Sequence, residues 1–187
     1  MSRLVTVDNV AALMRALDTL TKNNALVGVP AEKVGRKGDN EPINNAGLAY
    51  VHEHGVPELN IPARPFLAPG ADAVKDKVVA IFRKGAADVL DGNEGAALKA
   101  LNAAGVLGVS SVRNVLVNGE GFEPLADSTL AARARRGRKG AKEALQARRE
   151  GREAEGETAR PLFDTGQMAR SITYVVRPKK GDSLADS

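Results

Sequence analysis

The sequence has no cysteine and no tryptophan, and its 187 residues include only four Phe and two Tyr. Without cysteine there are no disulfides, thiolate metal sites or cysteine nucleophiles. With aromatics at 3%, the core has to be aliphatic, built from Leu, Val, Ile and Ala. No run approaches the roughly 18 consecutive apolar residues of a membrane span. The opening residues, MSRLVTVDNV, lack the continuous apolar core of a secretory signal. These absences lead to the expectation of a soluble chain made in the cytoplasm and binding no membrane.

What is present starts with size and charge. A chain of 187 residues holds one domain with its own core plus a sizeable excursion. The net charge is +4, but it is unevenly placed. Residues 131–160 carry ten basic side chains, among them Arg133, Arg135, Arg136, Arg138, Lys139, Arg148 and Arg149, against five glutamates. That span is therefore +5 and the remainder −1. Beyond Arg136 it shows almost no apolar face, so it is read as a flexible, exposed insertion over about 137–160, ordering only on a partner.

In chain order, Leu4–Val7 reads as a short strand, and Asp8 or Asn9 as the cap of a helix with its apolar stripe on Val10, Leu13, Met14, Leu17 and Leu20. Ala25–Val29 is a second strand, and residues 32–40 a mobile polar loop. Asn44 or Asn45 caps the next helix, which Gly55 stops. Residues 59–67 carry Pro62 and Pro65, which fix an extended backbone and remove two N–H donors, suiting a sheet edge or an intersubunit contact. Helices are expected over 71–90 and 96–117, as a hairpin or bent pair lying across a sheet, and a short one after Pro124 with Asp127 or Ser128 as its cap. Asp164 or Thr165 caps a single turn, and SITYVVR (171–177) alternates as a half-buried strand. The expected fold is α+β, one domain over 1–178, in which a long helix pair packs a small antiparallel or mixed sheet. It carries an extended Pro-rich arm, a mobile basic loop and a disordered tail at 179–187.

Chemistry finds little foothold. His52-Glu53-His54 sets its two imidazoles two residues apart, which turns them about 200° from one another on a helix, whereas a zinc-binding HExxH pair needs a separation of four. The GRKG strings at 35–38 and 137–140 lack the Lys-Ser/Thr ending of a phosphate-binding loop. Ser128 and Ser171 have no histidine near them in sequence, and Asp72 and Asp76 read as solvated surface. The expectation is a non-enzyme with no cofactor and no metal. The basic run would neutralise phosphates, but five glutamates interrupt it and no aromatic interleaves it. A DNA-binding accessory protein therefore stands as an alternative.

Four strings occur in order: INNAGLAYVHEHG, IPARPFLAPG, PLADSTLAARARRG and PLFDTGQMARSITYVV. Together they resemble the neck or tail-completion proteins of long-tailed bacteriophages, over about residues 25–177. The resemblance implies a structural virion protein of the head-to-tail connector, in a homo-oligomeric ring of six subunits, with twelve as the other possibility. Its implied partners are the portal or adaptor on one side and the tail terminator, tube or sheath on the other, and genomic DNA passes through without sequence-specific binding. A tail terminator capping the tail tube is the nearest alternative. On this reading Ile61, Pro62, Arg64, Pro65, Phe66 and Leu67 form an extended clamp, with Phe66 and Leu67 as anchors and Arg64 pairing with a carboxylate or carbonyl, within or between subunits. Asp164 and Thr165 set the turn that aims Ile172 and Tyr174 into the sheet. Arg133, Arg135, Arg136, Arg138, Lys139, Arg148 and Arg149 form a partner-docking arm.

Overall fold

The computed structural model describes residues 10–30, 43–118, 121–154, 156, 159–162 and 166–179. The expected strand at Leu4–Val7, the caps Asp8 and Asn9, the loop at 32–40, the turn residues Asp164 and Thr165, and the tail from 180 lie outside them. The fold is α+β. The chain packs as two compact units, each discontinuous: Met1–Gly28 with Ala71–Ser110 and Thr173–Ser187, and Val29–Gly70 with Ser111–Ile172.

In the first unit, α1 (Val10–Lys22) leads directly into β1 (Asn23–Gly28). Leu13, Leu17 and Leu20 pack against a buried cluster of Ala16, Val89, Ala96 and Ala97. Val10 and Met14, expected on the same stripe, are exposed. β1 pairs antiparallel with β2 (Thr173–Pro178), Asn23 opposite Pro178 and Gly28 opposite Thr173. A two-stranded ribbon is marginal by itself and needs a helix beneath it. That helix is α5 (Ala96–Asn118). A Cβ added at Gly105 would run into the Tyr174 ring, and one at Gly108 would fall 2.8 Å from Val27 Cγ2. The glycines thus let side chains from both strands rest on the helix backbone. The Tyr174 hydroxyl donates to Asn102 Oδ1 at 3.0 Å. α4 (Lys75–Leu90) closes on α5 by the same device, since a Cβ on Gly85 would meet Ala100 Cβ at 2.5 Å. By length and composition α5 would also pass as a membrane span, but here strands cover its glycine face.

The second unit holds α2 (Asn45–His54), a 3₁₀ turn at Pro57–Leu59, the start of α3 (Leu67–Asp72), the end of α5, and α6 (Asp127–Arg135), α7 (Ala141–Arg149) and α8 (Gln167–Ser171). Asn44 caps α2 as expected, its side chain accepting from Gly47 N–H at 2.7 Å. Gly55 ends α2 at φ 72°.

Five expectations are corrected. The segment read as a mobile basic loop contains α7, which packs on α6. Its apolar face is Ala141, Ala144 and Ala147, small side chains at helical spacing that are all buried. The extended arm ends at Phe66, because α3 begins at Leu67, and the next helix starts at Lys75 rather than 71. α6 starts behind Ala126, and neither Asp127 nor Ser128 caps it. Ser171 closes α8, so the last strand opens at Thr173.

Candidate functional site

The region around residues 52–70 is built by main-chain closure. α2 runs out at His54, and the chain folds back on itself. Val56 and Ile61 form an antiparallel bridge, and Arg64 N–H donates to His52 O at 2.7 Å. Gly55 makes this return possible for two reasons. Its φ of 72° disfavours a side chain, and a Cβ there would lie 2.7 Å from Ala63 N. At the far end of the loop Pro57 opens the 3₁₀ turn, and Asn60 takes the left-handed conformation that closes it.

Glu53 then fixes the start of α3. Its Oε2 accepts from Phe66 N–H at 2.8 Å and Leu67 N–H at 2.9 Å, and its Oε1 from Ala68 N–H at 3.2 Å. One carboxylate therefore satisfies the first donors of the helix, where negative charge also complements the helix dipole. Pro69 sits in that first turn, where its missing N–H leaves no bond unmade. Glu53→Ala is expected to cost about 2 kcal/mol, the upper end for loss of a helix cap. Urea unfolding of the purified variant measures it, and an unchanged midpoint would show that α3 does not depend on this carboxylate.

Arg64 is 7% exposed. Its Nε donates to Glu123 O at 3.0 Å and its Nη2 to Pro124 O at 3.2 Å. Burial pulls its guanidinium below the ordinary arginine value, and the nearby Glu123 charge pushes the other way. Phe66 is fully buried, and Gly70 lies so close to α5 that a Cβ would fall 2.6 Å from Val112 Cα. Elsewhere in the second unit, Arg148 reaches back to the start of α6. It donates to Asp127 Oδ1 at 2.9 Å and to the Leu125 carbonyl. Arg133, 4% exposed, donates to Arg160 O at 3.1 Å. The exposed Glu150 carboxyl beyond α7 is held below the ordinary range by hydrogen bonds from Arg152 and then Gln146.

These contacts revise the expected interface. Phe66 and Arg64 are buried inside the chain, so at those two residues the clamp closes within the chain itself, and Ile172, expected in the sheet, is buried at the end of α8, one residue before β2. Arg64 takes the carbonyl option, not the carboxylate. Ile61, Pro62 and Leu67 are half-buried and Pro65 is exposed. Tyr174 is half-buried against α5. Of the docking-arm candidates, Arg133 is buried and Arg148 is tied to α6 by internal bonds, so neither is displayed for a partner. Arg135, Arg136, Lys139 and Arg149 are exposed, and Arg138 is half-buried.

The second unit also contains a cavity of about 310 Å³. Asn45 and His52 line it from the first of the four resembling strings, Pro62 and Arg64 from the second, Thr129 and Arg133 from the third, and Gln167 and Met168 from the fourth. The histidines do not act together. His54 is exposed and packs against Tyr50 in a tilted arrangement, ring centroids 4.5 Å apart, while His52 lines the cavity. Among the described residues no group of three or more His, Cys, Asp or Glu comes together. The cavity's charged walls are guanidinium groups bonded to main-chain carbonyls, an arrangement that holds chain segments in place.

Sequence reasoning misses Glu53 altogether. The N–H groups it binds lie 13 to 15 residues ahead, so no helix-local pattern shows the cap. The available signal is a glutamate at a helix end facing a segment with two prolines and few donors of its own. No protein-family model, curated protein or solved structure matches the chain.

Proposed function

We propose that this chain is a structural subunit of the neck of a long-tailed bacteriophage, forming a ring that joins the head's portal or adaptor to the tail and surrounds the DNA channel. The observation that supports it is the convergence of the four strings on one cavity. Segments of all four strings, which together resemble neck and tail-completion proteins, supply the walls of that cavity in the second unit. Glu53 of the first string caps the helix in the second, Arg64 of the second holds the lead-in to the third, and α2 packs on α8 of the fourth. Resemblance scattered over a fold would carry less weight than resemblance concentrated in one bonded core.

In this role the chain performs no catalytic step. Its work is to hold a shape and present surfaces, and a closed ring needs two different surfaces per subunit, each meeting the other on a neighbour. The exposed Arg135, Arg136, Lys139 and Arg149 are the charges an acidic partner would meet. The competing DNA-binding reading loses Arg133 and Arg148 to internal bonds.

Light scattering of the purified protein, alone and with duplex DNA across a salt series, tests the proposal. The expected result is a multimer whose mass DNA does not change. A monomer that binds DNA with steep salt dependence would instead identify a DNA-binding accessory protein.

A further inference from the structure

Two parts of the chain present exposed apolar side chains on a fixed frame. The first is the tip of the 56–61 loop. Pro57, Glu58, Leu59 and Asn60 are all exposed there, and Leu59 is 68% exposed. The tip is held rigidly for so small a loop. Leu59 N–H donates to Val56 O at 3.0 Å, Asn60 N–H to Pro57 O at 3.0 Å, and the Val56–Ile61 bridge closes its base. A large apolar side chain on a fixed backbone loses little freedom when it docks.

The second is a groove of about 760 Å³ in the first unit, between β1 and α4. Leu26, Val78, Val79 and Phe82 form its apolar wall, and Leu26 and Val79 are 49% and 47% exposed. Lys75 and Lys179 stand on its wall, with Asp72 the one acidic residue there.

We infer that Leu59 of one copy seats in the β1–α4 groove of the next copy, with Glu58 beside it meeting Lys75. The inference rests on the ring reading, which requires one surface that gives and a different one that receives. It adds the residues of that joint and moves it from the buried Phe66 to the exposed tip that precedes it in the chain. Charge agrees with the pairing, because the single acidic side chain on the tip meets two lysines and one aspartate at the groove.

The absence of native cysteine makes a direct test possible. Leu59→Cys and Val79→Cys are purified separately, checked for native folding by circular dichroism, then mixed and oxidised. Both sites are exposed, so the substitutions leave the core intact. The mixture should yield a disulfide-linked pair that neither variant gives alone, and the double variant a ladder of linked chains. Adding Glu58→Lys to the Leu59→Cys partner should lower the yield about tenfold, and placing Lys75→Glu in the Val79→Cys partner should restore it. A mixture with no linked pair, or Leu59→Cys linking to itself as readily, would overturn the joint.

Light scattering of the unaltered protein separates this from the ring reading. Multimers without the mixed cross-link overturn the joint and keep the ring. The mixed cross-link in a protein that never exceeds a dimer keeps the joint and overturns the ring. A monomer without the cross-link overturns both.

Discussion

Phe66→Ala should reduce the stability of the isolated chain by about 3–5 kcal/mol, the range for emptying a buried aromatic site. Phe66 is 0% exposed, and its N–H is held by Glu53, so the surrounding structure has little freedom to collapse into the space. A loss of that size is a large fraction of the roughly 5–15 kcal/mol that keeps a typical domain folded. Urea unfolding at a dilution where no multimer persists is the measurement. If Phe66 instead packed between subunits, the unfolding midpoint of the dissociated chain would hardly move, and only assembly would weaken.

Arg64→Met is the second large effect, expected at about 3 kcal/mol. Methionine fills much of the volume, but it leaves Glu123 O and Pro124 O without their donors, each worth about 1–3 kcal/mol when buried and unsatisfied. Arg64→Lys should recover little, since an ammonium cannot reproduce the fork that reaches two successive carbonyls. The change should also be local. The carbonyls held by Arg64 lie just before α6, whose first bonds run from Thr129 and Leu130 N–H to Ala126 O. Hydrogen exchange at Thr129 and Leu130 should therefore accelerate more than at Leu101 or Ala104. Uniform acceleration would show that Arg64 contributes only to global stability.

Local chemistry makes part of this molecule legible from sequence. The Asn44 cap, the Gly55 stop and the 23-residue α5 arise from side chains acting on their own neighbourhoods, and each falls within a residue or two of its expected place. The two strands are legible as short β-type runs, but the antiparallel pairing, left open against a mixed sheet, joins residues as far apart as Asn23 and Pro178. The hidden features depend on partners distant in sequence or on side chains too small to register. α7 buries alanines, which carry little signal in a run rich in Arg and Glu. α3 exists because a glutamate from the preceding helix turns back to cap it. In the candidate site, the Pro-spaced segment stands out in the sequence but its direction does not. Its anchor Phe66 faces inward, and the exposed Leu59 lies on a loop whose sequence shows only a bend.

Whether this chain joins head to tail is tested most directly by adding the purified protein to a lysate of the phage assembled without it. The expected result is that DNA-filled heads and finished tails, separate beforehand, join into infectious particles after the addition, in proportion to the protein supplied. Heads and tails that join equally well without the chain, or that stay apart whatever amount is added, would contradict it.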